Sequence, residues 1–192
     1  MIRPWPLVRS EPLADYRVFK VRRDLKVSPR TGSEHDFFVL ESPNWVNVIA
    51  TTAAQEVVLV EQFRHGTNTI ELEIPGGVMD PEDASPVAAG LRELREETGY
   101  AGENARLLGQ VPANPALFNN TCHTVLIENC RPWHEAQLDS TEDVVTRLTP
   151  IAELPGLVAS GRIRHSLVVV ALYHFELWQR GLAPTAGHLS PA

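Results

Sequence analysis

Three carboxylates, Glu93, Glu96 and Glu97, stand in the run Arg92-Glu93-Leu94-Arg95-Glu96-Glu97-Thr98-Gly99-Tyr100, downstream of a glycine pair in Ile74-Pro75-Gly76-Gly77. On a helix, residues three and four apart share a surface, so Glu93 faces both Glu96 and Glu97. Like charges so placed repel by about 0.2–0.5 kcal/mol per pair on an exposed helix, and more where water is scarce. A divalent cation that prefers hard oxygen ligands, magnesium or manganese, would offset that repulsion. Arg92 offers a plainer remedy: it reaches Glu96 at i+4 and would make an ordinary solvated salt-bridge face.

The surrounding elements favour the metal over the solvated face. Ser85 can cap a helix and Pro86 suits its first position. Val87, Leu91, Leu94 and Thr98 form a helical stripe that faces a core and leaves the carboxylates on a separate face. Gly99 can adopt the left-handed conformation that stops the helix. Gly76 and Gly77 let the backbone come close to whatever sits before the helix. Upstream, residues 16–27 and 35–41 read as strands joined by a turn at Ser28-Pro29-Arg30-Thr31-Gly32, and residues 45–52 and 56–63 as a second strand pair. Further strands are expected near 105–111, 122–128 and 143–148, a short helix over 151–160, and a helix over 165–179. In the last of these, Leu167, Val170, Ala171, His174, Phe175 and Trp178 lie close to helical spacing, so His174 reads as a packed residue rather than a ligand.

Residues 92–99 match the signature of the Nudix hydrolase family letter for letter, and the chain resembles that family over roughly residues 45–180. The fold implied is α/β (α+β), a Nudix-like α/β/α sandwich with a mixed sheet, extended by N-terminal antiparallel strands. The domains implied are a strand extension over 1–42, a hydrolase domain over 43–181 and a flexible tail over 182–192. The first half of the signature departs from the family spacing. Counted from Gly76, Glu82 takes the family's glutamate place, but the step to Arg92 is two residues too long. Counted from Gly77, Asp83 takes that place and one extra residue remains. The resemblance further implies metal ligation by Glu93, Glu96, Glu97 and the backbone carbonyl of Gly76.

The N-terminal segment resembles the subgroup that cleaves ADP-ribose and other nucleoside-diphosphate sugars, whose members form homodimers through such strands. Trp45, Phe37 and Phe38 are then candidates for a base-stacking slot or a dimer contact, against plain core burial. Glu61-Gln62-Phe63-Arg64 is similar to a strand-end motif whose arginine lies near the substrate diphosphate; the alternative for Arg64 is a structural salt bridge. Glu73 would support the site from behind. Pro115 falls where ADP-ribose-cleaving members carry a proline. The stretch Asn114 to His123 is neutral and amide-rich, with Asn119 a candidate sugar contact. In the loop before the last strand, Ser140 stands where the subgroup's water-activating acid would fall, so Glu142 becomes the candidate base, with Asp139 behind it.

The activity implied is Mg2+- or Mn2+-dependent hydrolysis of a nucleoside diphosphate sugar, ADP-ribose before GDP-mannose, to a nucleoside monophosphate and a sugar phosphate. Glu93 and Glu97 would share in that catalysis, with Glu142 as base. A metabolite sensor that binds without cleaving is the reading from another class, disfavoured because all three carboxylates remain.

Composition sets bounds on these readings. The chain has 192 residues, 43% hydrophobic and 21% charged, as in an ordinary globular protein. A net charge of −7 argues against a nucleic-acid partner. Cys122 and Cys130 are too few for a disulfide scaffold and lack zinc spacing. No leader and no apolar run of spanning length is legible, which makes a cytoplasmic protein without a membrane partner the expectation.

Overall fold

The turn at Ser28–Gly32 closes as its residues require. Ser28 Oγ accepts from the N–H groups of Arg30 and Thr31, and Gly32 takes φ 76°. From it run β2 (Lys20–Val27) and β3 (Glu34–Glu41), paired antiparallel. A strand without sequence signal, β1 (Leu7–Asp15), adds to β2 and completes a three-stranded sheet. Its alternation is blurred by Pro12 and by two register shifts along the pair. Trp5 packs edge-on against Phe37 at 5.3 Å, while Phe37 and Phe38 stay 39% and 53% exposed, so neither is a core residue. A computed structural model describes residues 1–138, 140 and 142–182. It divides the chain into one unit of residues 1–44 with 112–121 and another of 45–111 with the chain from Cys122 onward. In the first unit, Leu40 N–H bonds Leu117 O and Asn119 N–H bonds Leu40 O, tying the 112–121 loop to β3.

The second unit contains β4 (Trp45–Ala50), β5 (Glu56–Arg64), β6 (Thr69–Glu73), β7 (Gly76–Val78), β8 (Tyr100–Pro112, ending at the unit boundary), β9 (Thr121–Pro132, entering from it) and β10 (Val144–Pro150). Its helices are α1 (Pro86–Thr98), α2 (Leu154–Ala159, after a 3-10 turn) and α3 (Ser166–Gln179). The strands form two sheets, ordered β7-β4-β9-β8 and β10-β5-β6. This corrects the expectation that residues 45–52 and 56–63 pair with each other. Between them only a single bridge forms, Thr51 to Val57. Ile49 and Ala50 on β4 and Val57 to Val60 on β5 are fully buried, so each strand needs cover on both faces and takes a central place in its own sheet. β4 lies parallel to β9 and antiparallel to β7, which makes the sheet mixed as anticipated.

Alternate residues of these strands feed two cores. Val46, Val48, Val58, Val125 and Ile127 pack with Ala89 and Leu94 of α1. Ile49, Val57, Leu59, Leu72 and Leu126 pack with Leu154 of α2 and Val168, Ala171 and Phe175 of α3. Helices therefore cover both faces, the α/β/α arrangement. Each fully buried aliphatic side chain contributes about 1.5–3 kcal/mol. His174 packs against this sheet with Nδ1 3.2 Å from Thr124 Oγ1, the packed role its spacing indicated. Among the described residues no helix is long and apolar enough to cross a membrane. Of the tail, residues 183–192 lie outside the described residues.

Candidate active site

Helix α1 begins and ends where its sequence dictates. Ser85 Oγ accepts from Ala88 N–H at 3.1 Å, and Gly99, at φ 71°, donates its N–H to Arg95 O. The stripe from Val87 to Thr98 packs inward, but the carboxylates do not all stand on a separate, open face. Glu93 and Glu97 are 7% and 4% exposed, and only Glu96 is half open. The helical wheel explains the difference: Glu97 stands about 60° and Glu93 about 100° from the buried Leu94, whereas Glu96 stands about 160° away.

The glycine pair closes around the two buried acids. Gly76 N–H donates to Glu97 Oε2 at 3.0 Å. A Cβ on Gly77 would lie 2.7 Å from a carboxylate oxygen of Glu93, and one on Gly76 would lie 2.2 Å from Val46 O. Burial pushes Glu93 up to about 7 against the pull of Arg92. It pushes Glu97 up to about 8 against the Gly76 N–H. The negative field of Glu142 raises both, and Arg64 acts on Glu97 in the opposite sense. Glu142 and Arg64 thus lie within electrostatic reach of the acid pair.

Arg92 is the counter-charge that the chain itself supplies. Its Nη1 bonds Glu93 Oε1 and Glu96 Oε2, both at 2.9 Å. Its Nη2 donates to Asp83 Oδ2 at 2.9 Å and to Val78 O at 3.0 Å. Of the two ways to count the lengthened loop, this geometry favours the one from Gly77: Asp83 meets Arg92, while Glu82 is exposed.

At the other side of the site, Arg64 makes a fork onto Glu73, Nε to Oε1 and Nη2 to Oε2, both 2.8 Å. His165 Nδ1 lies 3.0 Å from the same Oε2. Burial works to raise Glu73, but the hydrogen bonds from Arg64 and His165 outweigh it and hold this acid at about 2. One residue pair along β6, Arg164 bonds both oxygens of Glu71. Arg64 thus makes the salt bridge that was the alternative for it, and its charge also acts on Glu97.

Of the residues singled out from sequence, Arg64, Gly76, Glu93, Glu96, Glu97 and Glu142 belong to the second unit, and Trp45 is its half-buried entry strand residue. Asn119 belongs to the first unit, where its Oδ1 accepts from Ser42 N–H. Asp139 lies outside the described residues. His165 carried no sequence signal beyond standing just before an apolar helix.

Among the described residues no group of three His, Cys, Asp or Glu side chains is placed to hold a metal ion by itself. The donor chemistry nevertheless fits a hard divalent cation. Burial raises both carboxylates to about 7 and 8 against the partners they have, and Gly77 puts no Cβ against the Glu93 oxygens. Glu93 and Glu97 are the residues that would hold it, with Glu96 at the open edge.

Known proteins bear on this geometry. A crystal structure of an ADP compounds hydrolase superposes with a TM-score of 0.83, covering 94% of this chain and 97% of that one at 21% identity, which shows the fold. The methanol dehydrogenase activator of Bacillus methanolicus is 28% identical over 171 residues, 88% of this chain and 91% of that protein. An ADP-ribose pyrophosphatase of Mycobacterium tuberculosis is 26% identical over 177 residues, 92% of this chain and 85% of its own. The NUDIX domain model matches residues 42–169, well over half of the chain, and the protein belongs to that family.

Proposed function

We propose that this Nudix hydrolase, an enzyme acting on pyrophosphate bonds, cleaves the diphosphate of a nucleoside diphosphate sugar, ADP-ribose first among them. The products are a nucleoside monophosphate and a sugar phosphate. The observation that carries this reading is the buried, under-compensated pair Glu93 and Glu97, with Glu142 and Arg64 in its field. A bound divalent cation, Mg2+ or Mn2+, supplies charge neutralisation and a more acidic water. The chain supplies the rest. Glu73 occupies the Nε edge of Arg64, which leaves the outer edge of the guanidinium to grip phosphate oxygens. Glu142 accepts the proton of the attacking water. No covalent intermediate is needed, since water itself attacks phosphorus. The similarity to an ADP-ribose pyrophosphatase across 92% of the chain supports the substrate class. The exposed Phe37 and Phe38 support a homodimer formed through the N-terminal strands, checked by the mass measured in light scattering.

The test is nucleoside monophosphate release from ADP-ribose, GDP-mannose, UDP-glucose, diadenosine polyphosphates and NADH with Mg2+ or Mn2+, beside Glu97→Gln. Cleavage of a sugar nucleotide that vanishes in the variant is the expected result, with ADP-ribose turned over fastest. Preference for GDP-mannose would move the substrate within the class. Binding without cleavage under both metals would replace the enzyme with a sensor.

A further inference from the structure

The segment Gly161–His165, between α2 and α3, clips around the β5–β6 hairpin. Glu61 pairs with Leu72 across that hairpin and so shares one face with it, while Glu71 and Glu73 pair with Gln62 and Val60 and share the other. Arg162 bonds Glu61 on the first face. Ile163, 1% exposed, is buried in the core and donates its N–H to Leu157 O. Arg164 then bonds Glu71 and Thr69 on the second face, and His165 bonds Glu73. The chain before the imidazole is held by these contacts, and after it α3 begins at Ser166, with Val169 N–H bonding His165 O.

We infer that His165 is a positioning residue for the substrate diphosphate: its imidazole fixes the Glu73 carboxylate, which fixes the Arg64 guanidinium. This rests on the proposal that Arg64 holds the diphosphate. The Glu73 side chain is 3% exposed and the imidazole 40%, so the ring is what stands between Oε2 and water, and a water in its place would bond without imposing a direction. Its Oε2 accepts from both Arg64 and His165, and its Oε1 from Arg64 alone. With the imidazole gone, only the Arg64 fork remains, and fork and carboxylate turn together. Arg64 has a side chain 43% exposed, so it keeps its charge but loses its direction. An outer guanidinium edge is useful to a diphosphate only when aimed, because bidentate recognition depends on the fork's plane. The group acts through Glu73 and touches no reacting atom.

The expected signature is a weakened grip with intact chemistry. For His165→Ala, KM for ADP-ribose rises about tenfold while kcat stays within about twofold. His165→Asn, whose amide nitrogen stands near the place of Nδ1, restores KM to within about threefold of the parent. The Kd for α,β-methylene-ADP, a diphosphate that cannot be hydrolysed, moves in the same way and reads the effect without turnover. Arg64→Ala, run alongside, separates the failures. If it raises KM and Kd while His165→Ala does not, the relay is overturned and Arg64 keeps its role. If Arg64→Ala changes neither, the relay and its premise fall together. Equal losses in the Ala and Asn variants, or a fall in thermal midpoint with unchanged KM and Kd, would reduce His165 to a packing residue.

Discussion

Glu93 and Glu97 on α1 and Glu71 and Glu73 on β6 are the same side chain, each under a tenth exposed, yet their protons are held in opposite senses. On β6, Arg164 with Thr69 holds Glu71 at about 2. Arg64 and His165 hold Glu73 at about 2 against its burial. On α1, burial wins and carries Glu93 to about 7 and Glu97 to about 8. For Glu73 the difference from the helix acids lies in its donors rather than in depth. Each β6 acid receives a guanidinium fork, whereas Glu93 shares one nitrogen of Arg92 with Glu96 and Glu97 has a backbone N–H. A buried carboxylate without a full counter-charge is costly to keep ionised, so where the fold leaves one it leaves room for a cation from outside. On the proposed reading the hairpin acids brace the site, and the helix acids are the ones that would hold a cation.

The largest expected effect separates the two pairs directly. Glu97→Gln should lower kcat by about 10³-fold or more, with the metal-free thermal midpoint unchanged or raised, because an amide replaces a carboxyl that is already largely neutral near pH 7. Glu73→Gln should do the reverse to stability, costing about 1–3 kcal/mol by stranding part of the Arg64 fork. Denaturant unfolding of both variants checks this pair. A Glu97→Gln protein less stable than Glu73→Gln would break the comparison.

Next in size is the dependence of stability on pH. Glutamate unfolds with its ordinary value of 4.5, while folded Glu93 and Glu97 bind protons up to about 7 and 8. The native state therefore holds extra protons above about pH 4.5, and their contribution is present below that pH and lost as pH rises through 7 and 8. Glu71 and Glu73 have the opposite sign: their contribution is present above 4.5 and is lost as pH falls through about 2. Thermal midpoints in EDTA should decline on both sides of a mildly acidic optimum. Magnesium should lift the alkaline limb alone and release protons at pH 7, seen as buffer-dependent heat in calorimetry. An alkaline limb indifferent to the metal would mean that the helix acids are not its ligands.

The contrast also shows which parts of the molecule a linear sequence carries. Helix α1 was legible to the residue, since Ser85, Pro86 and Gly99 act within one turn of themselves and local rules set its ends. The carboxylate cluster was legible as a set, because i, i+3 and i+4 spacing is also local. Its burial was not: whether Glu97 faces water depends on Gly76, twenty-one residues away in the chain. The pairing expected between residues 45–52 and 56–63 fails for the same reason, as β4 takes its parallel neighbour from β9, beyond the reach of any local pattern. His165 is the extreme case, joined to Glu73 across 92 positions.

The smallest expected effect concerns the hinge between the two kinds of acid. Asp83 accepts from both Nε and Nη2 of Arg92 and so restrains the guanidinium to a single nitrogen toward Glu93 and Glu96. Were Arg92 free, it would close on those acids as Arg164 closes on Glu71, and the helix pair would come to resemble the hairpin pair. Asp83→Asn should therefore compete with the cation rather than with the substrate. The metal concentration for half-maximal rate should rise about tenfold, the scale of losses when a group behind a ligand is removed. Rate at saturating metal should recover. Glu82→Gln, at the place the other count would favour, should leave both quantities within about twofold. Titrating activity against Mg2+ in the two variants decides the point: equal curves would mean that Asp83 merely closes the loop, and that the restraint on Arg92 comes from the helix itself.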